Sequence, residues 1–390
     1  MKLSRPLLFG HSPKRLTRHF SHKALRLSLL LATGLMALAG VGCHKQVALP
    51  QPYLAFVVNN QSQSVAVVNL ASARIVTTIP VAPLPNKAVR RPNRDEIYVV
   101  SESGRISVVG FPALAVVHTI DIGPSARDLA FSPDGNQAYT LDPQTGQVVF
   151  LDCNSARLTS RVQLVPGLAH LAITPDGKTL IASDPAGNRL FFVSTASQQV
   201  LGSVIVGKTP GPLAVSLDSS EVFVADTGDE KISAAEIPSR TILAHIEMGS
   251  RPSGLALKPD GGELLVLSNE GSSITLVDAT HANVEQVLPA GRDPGATAFK
   301  KDSSLMYLAT AGDGFVTAFD IANRTVQDTV HVGVTPQSLA LTPDERFLAV
   351  ADSASGSLAI VRASPLSLIT VVPVGSNPVD VVVPGWERNP

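Results

Sequence analysis

The sequence predicts an all-β fold: a β-propeller of eight four-stranded antiparallel blades, with seven as the alternative count. Three observations carry it. The first is self-similarity: "HLAITPDGKTLIASDPAGNRLFFV" (170–193) returns as "SLALTPDERFLAVADSASGSLAIV" (338–361), 168 residues further on. Extending that alignment sets unit starts at 55, 97, 138, 180, 222, 264, 306 and 348. The spacing is 42 residues, with one interval of 41 where the loop "SESG" is a residue short. A fixed period of this length marks a repeat architecture.

The second observation is punctuation. Asn93, Asp134, Asp176, Asp218, Asp260, Asp302 and Asp344 fall at one position of successive units, with Pro133, Pro175, Pro259 and Pro343 before four of them. Pro-Asp-Gly is turn chemistry: Pro presets φ, Asp bonds back to the backbone and Gly accepts positive φ. Gly207, Gly249, Gly291, Gly333 and Gly375 each precede a proline by three residues, a pattern that interrupts both helix and strand.

The third observation is what lies between the breaks. In the unit starting at 306 the runs are "MYLAT", "FVTAFD", "TVQDTVHV" and "SLALT", short and rich in β-branched residues, which reads as four strands. Many runs are apolar at nearly every position, so both sheet faces are buried. Sheets stacked face to face in a ring satisfy that; a β-sandwich does not generate the 42-residue period. The first strands (55–80) are three outer ones and the last, "VDVVV" (379–383), is an inner one. The two ends are therefore expected to complete one blade and close the ring.

These columns resemble the YVTN-type propeller repeats of prokaryotic surface and envelope proteins. The matching stretches are "FVVN" (56–59), "SVAVVN" (64–69), "IPVAPLP" (79–85) and "LAFSPDG" (129–135). The resemblance spans 55–383; "TPDER" without its Gly and "SLDSS" (216–220) without its Pro are the local departures. The WD40 Trp-Asp pair and the kelch double-Gly pattern are missing.

The N-terminus reads as an address. Seven basic and no acidic residues occupy 1–42, and the apolar run Leu27–Gly42 ends at Cys43. At 16 residues that run is short for a membrane span and suits a secretory signal. "LAGVGC" resembles the lipobox of bacterial lipoproteins, with Gly40 in place of the usual Leu. The resemblance implies a signal peptide over 1–42, lipidation of Cys43, a tether over 43–54 and a propeller over 55–390. It also implies a protein anchored in the cell envelope. His44, where an Asp would retain the protein at the inner membrane, implies the outer membrane, facing the periplasm or the exterior.

Composition narrows the partners. Beyond residue 42 there remain 24 Lys and Arg against 32 Asp and Glu, and aromatics make up 5%, so no nucleic-acid partner is expected. The only other cysteine, Cys153, ends an apolar run and reads as buried and inert.

Candidate site residues follow from where loops meet the channel. The loops leading into the inner strands bring Lys87, Arg127, Asp128, His170, Arg251, Arg292 and Asp380 to one mouth, together with Lys208, Asp293 and Asn377. His170 is the one imidazole the alignment places there. The aspartates that start the loops between second and third strands, Asp142, Asp184, Asp226 and Asp352, read as Asx caps of tight turns. No catalytic motif, metal site or cofactor fingerprint is present; "DTGDE" (226–230) lacks the EF-hand pattern.

The expectation is a lipid-anchored, non-enzymatic binding or scaffold module for a protein partner or a small polar ligand. Two alternatives stand beside it. One is a lactonase-like hydrolase using Arg127, Asp128 and His170. The other is a periplasmic propeller that holds a haem d1 or quinone-type cofactor for electron transfer.

Overall fold

The computed structural model describes residues 53–384. The signal peptide, Cys43 and most of the expected tether lie outside those residues. Among the described residues there is no helix long and apolar enough to cross a membrane.

Among the described residues, thirty-two strands form eight four-stranded antiparallel sheets in a ring. A typical blade runs β24 (Pro294–Phe299), β25 (Leu305–Thr310), β26 (Phe315–Asp320), β27 (Thr325–His331) from the channel outward. The two middle strands are buried along almost their whole length, while β27 is largely exposed. This is why the middle runs are apolar at every position: each face of a sheet packs on a neighbouring blade. Between the second and third blades, Tyr98 and Phe131 meet edge to face at 5.0 Å within a cluster that includes Val108, Ile122 and Val149. Burial of that kind is the main stabilising term of the ring.

Closure is as the repeat phase requires. β1 (Leu54–Asn59), β2 (Ser64–Asn69) and β3 (Arg74–Pro80) form one sheet with β32 (Pro378–Val382), in the order β3-β2-β1-β32. The other inner strands are β4 (Pro85–Arg90), β8 (Arg127–Phe131), β12 (Leu171–Ile173), β16 (Pro210–Val215), β20 (Gly254–Leu257) and β28 (Pro336–Leu341).

The turn column behaves as its chemistry dictates. Gly135 and Gly177 take φ of +70° and +74°, and Asp134 accepts bonds from Ser132 Oγ (2.6 Å) and the Asn136 N–H (3.0 Å). Where the glycine is missing the backbone does not change: Ser219, Ser303 and Glu345 hold φ of +65°, +60° and +57°. Two of these side chains reach across to the next hairpin. Ser219 Oγ accepts the Asp176 N–H (3.0 Å) and Glu345 accepts the Lys301 N–H (2.7 Å).

Cys153 is buried, and burial pushes its thiol up to about 11. It is an inert packing residue. Arg91 beside it is buried as well. Its guanidinium donates to Gly135 O (2.7 Å), Cys153 O (3.0 Å), Glu96 (2.9 Å) and Asn154 (2.6 Å), tying the second blade to the third.

Candidate functional site

One position of the inner strands, at the end where the chain enters each blade, forms an eight-membered ring around the channel mouth. Blade by blade from the closing strand it reads Asp380, Lys87, Asp128, His170, Pro212, Gly254, Ala296 and Ser338. The polar members are contiguous. Ser338, Asp380, Lys87, Asp128 and His170 occupy five successive blades, and three small or apolar residues fill the rest.

The polar arc is hydrogen-bonded. Asp380 accepts from Ser338 Oγ (2.8 Å), from the Val381 N–H (2.9 Å) and, across the blade boundary, from the Ala88 N–H (2.8 Å). Asp128 repeats the pattern one boundary further on: it accepts from its own neighbour's Leu129 N–H (3.0 Å) and from the next blade's Leu171 N–H (3.0 Å). Lys87 Nζ pairs with Asp128 Oδ1, and His170 Nδ1 stands 4.0 Å from Asp128 Oδ2.

Asp128 is held there by an irregularity of the backbone. β8 pairs with β9 (Gln137–Asp142) through Arg127↔Leu141 and Leu129↔Thr140, so Asp128 is the extra residue of a β-bulge. Its φ is +57°, and no other member of the eight-residue ring is left-handed. Bulges re-aim side chains, and a non-glycine residue in this region is strained by about 1–3 kcal/mol.

Asn86, Lys87, Glu102, Arg127, Asp128, Ala169 and His170 line a solvent-open cavity of about 270 Å³ between the second, third and fourth blades. Partial burial holds the His170 imidazole below its usual range, and the cations Lys87 and Arg127 push it the same way against the pull of Asp128. Burial and the two cations thus favour the uncharged ring, while 43% of the side chain remains open. Burial raises Asp380, against the bonds from Ala88 and Ser338 and the nearby charge of Lys87.

Of the seven residues expected at the mouth, Lys87, Arg127, Asp128 and His170 share this cavity, and Asp380 adjoins it through Ala88 and Ser338. Arg251 and Arg292 do not. They belong to the sixth and seventh blades, across the ring; Arg251 is exposed, and Arg292 is folded back onto Asp313 (2.6 Å) and Gly312 O (2.7 Å). Sequence reasoning missed Asn86, Glu102 and Ser338, whose roles depend on which neighbour the loops present.

Three of the four loop aspartates, Asp142, Asp184 and Asp352, are turn caps as read, Asp184 accepting the Gly187 N–H (2.9 Å); Asp226 is not, because its carboxylate accepts Ser233 Oγ (2.6 Å) across the hairpin and no N–H of its own loop. Asp352 accepts from the Thr335, Ala354 and Ser355 N–H groups at 3.1–3.2 Å, and Asp142 from Ser125 Oγ (2.6 Å) and the Gln144 N–H (3.2 Å). Among the described residues no three metal-ligating side chains gather into a cluster.

The fold and this mouth define a propeller with one imidazole beside two cations at its channel mouth. Comparison with known proteins adds the following. A model of the Cytochrome D1 heme domain family matches residues 260–385, the sixth to eighth blades and the closing strand; His170, Arg127 and Lys87 lie outside that stretch. No curated protein matches the chain. Dihydro-heme d1 dehydrogenase NirN in complex with DHE superposes with a TM-score of 0.75 at 15% identity, over 85% of this chain and 75% of that one. Kuenenia stuttgartiensis hydrazine synthase gives 0.58 at 17% identity, over 71% and 95%. A functionally unknown protein from Desulfotomaculum acetoxidans gives 0.61 at 15% identity, over 75% and 100%.

These findings correct the main functional expectation. The scaffold-module reading is overturned by the haem-domain match over 260–385, which agrees instead with the cofactor-binding alternative. The sequence misled because a fold does not declare its function, and the lack of a short cofactor fingerprint excluded nothing.

Proposed function

We propose that this chain is a haem-binding propeller that serves electron transfer in the cell envelope, holding an iron tetrapyrrole of the haem d1 type at the channel mouth. The observation that carries the reading is the placing of His170, its side chain 43% open, in the same solvent-open cavity as the cations Lys87 and Arg127. Neutral imidazole is the form that ligates iron, and Lys87 and Arg127 suit the carboxylates at the rim of such a macrocycle. The Cytochrome D1 heme domain match supports the same class of ligand.

A bound haem would supply one-electron chemistry. The chain's own residues orient and shield. Asp128 anchors the ammonium of Lys87 and faces Nδ1 of His170, so that Nε2 would be the atom to hold a bound iron. Arg127, unpaired among the described residues, is free to meet a carboxylate. The repeat columns are those of YVTN-type blades, and lipidation at Cys43 would hold the ring at a membrane where electron-transfer partners reach its mouth.

The test is spectroscopic. The full chain is solubilised from membranes in mild detergent and titrated with iron(III) porphyrin. Saturable binding with an imidazole-ligated absorption spectrum is expected, lost in His170→Ala. No spectral change at micromolar porphyrin, or an unchanged spectrum in His170→Ala, sinks the reading.

A further inference from the structure

Asp380 and Asp128 are the same device used twice. Each stands at the mouth position of its own blade, and each accepts the N–H of the following blade, of Ala88 (2.8 Å) and Leu171 (3.0 Å) respectively. In both cases the residue just before the clamped N–H is the one with a functional side chain, Lys87 and His170. The clamp therefore fixes the backbone that carries the cation in one blade and the imidazole in the other. The two are joined because Lys87 Nζ bonds Asp128.

Asp128 differs from Asp380 in two respects. It alone in the ring is bulged into the left-handed region, and it has a carboxylate oxygen facing an imidazole nitrogen, Oδ2 to His170 Nδ1 at 4.0 Å. Oδ1 is occupied by Lys87 and by the Leu129 N–H, and Oδ2 by the Leu171 N–H, which leaves Oδ2 one open direction toward the ring. At 4.0 Å the carboxylate acts on the imidazole through its charge rather than through a hydrogen bond, and that charge favours the proton on the nearer nitrogen, Nδ1. The opposite nitrogen then carries the lone pair, the arrangement that makes metal-ligating histidines directional and basic.

We propose that Asp128 is the positioning residue of the mouth, fixing both the backbone and the tautomer of His170 so that Nε2 is presented to the cavity, with Lys87 paired to Asp128. The ligand side of this inference rests on the haem-binding reading; the tautomer does not.

The experiment uses the full chain in detergent with 15N-labelled histidine and no porphyrin, above the pH at which His170 titrates. The expected spectrum has His170 Nδ1 protonated and Nε2 bare. Asp128→Asn, whose amide donates, is expected to move the proton to Nε2 and to weaken porphyrin binding by 10–100-fold. Finding the proton on Nε2 in the unsubstituted protein overturns the proposal without any variant, as does an unchanged tautomer in a folded Asp128→Asn. Failure of porphyrin to bind at all, with the tautomer as expected, overturns the haem reading and leaves the positioning role standing.

Discussion

Val57 of the first strand lies opposite Val381 of the last, and both are buried to within 4%. The ring is closed by this pairing, since β32 supplies the inner strand that the first blade lacks. Substituting Val381→Asp places an unpaired carboxylate in the closing sheet. A loss of about 3–5 kcal/mol is expected, read as a lowered denaturant midpoint. A variant that melts with the unsubstituted protein would mean that closure contributes little to stability.

Ser303 and Ser219 separate backbone strain from a side-chain bond. Both are left-handed, yet only Ser219 is bonded to the neighbouring hairpin, through Oγ and the Asp176 N–H (3.0 Å). Ser303→Gly is expected to stabilise by about 1 kcal/mol, by relieving the serine's left-handed strain. Ser219→Gly gains the same relief and loses a hydrogen bond worth about 1 kcal/mol, so its net change is expected near zero. Paired thermal melts decide; equal shifts in the two variants would assign no value to the inter-hairpin bond.

Asp226 gives the ring a pH signature. Burial raises its carboxyl to about 6, although Ser233 Oγ (2.6 Å) donates to it; Asp229 pushes the same way as burial, and the Gly207 N–H and Lys231 pull back. A carboxyl whose folded value lies above its unfolded one favours the folded state most below the unfolded value, near 3.8, and that contribution is lost as pH rises through about 6. The cost at pH 8 is on the order of 3 kcal/mol. Asp226→Asn is expected to flatten stability between pH 4 and 6, measured by urea unfolding across that range. An unchanged slope would place the titration elsewhere.

Blade number, strand phase and closure were legible in the sequence because turn chemistry at a fixed period is local information. Pro-Asp-Gly dictates its own backbone wherever it stands, and even Glu345 without the glycine follows the period. The mouth was legible only in part. The alignment brought Lys87, Arg127, Asp128 and His170 to one end of the channel, since loop position is set by the repeat. It did not show that Asp128 is bulged toward two other blades, because a register shift depends on the pairing of β8 with β9. Nor did it show that Arg292 is spent on Asp313, a contact 21 residues away in a neighbouring loop.

Arg91 tests the value of a buried cation at a blade boundary. Its guanidinium satisfies two backbone carbonyls, Gly135 O and Cys153 O, together with Glu96 and Asn154. Arg91→Met fills similar volume but leaves those acceptors and the Glu96 charge without a partner. A loss of about 3–5 kcal/mol is expected by urea unfolding at pH 7. A loss below about 1 kcal/mol would mean that water takes over the acceptors.

Two arginines that the entry loops bring toward the same mouth meet different fates there. Arg127 lines the cavity with His170, and no carboxylate among the described residues pairs with it; Arg292 donates to Asp313 Oδ1 (2.6 Å), and Asp313 also accepts the Arg292 N–H (2.6 Å). An anionic ligand meets a free charge at the first and a neutralised pair at the second. Arg127→Ala is therefore expected to weaken porphyrin binding about tenfold, near 1.4 kcal/mol, and Arg292→Ala less than about twofold. The contrast should fade in high salt, because Arg127 acts from a solvent-open wall. Titration of both variants with iron(III) porphyrin at low and high ionic strength measures it. Equal losses would put the ligand's carboxylates on both sides of the ring, and the binding site at the centre of the mouth rather than against the second to fourth blades.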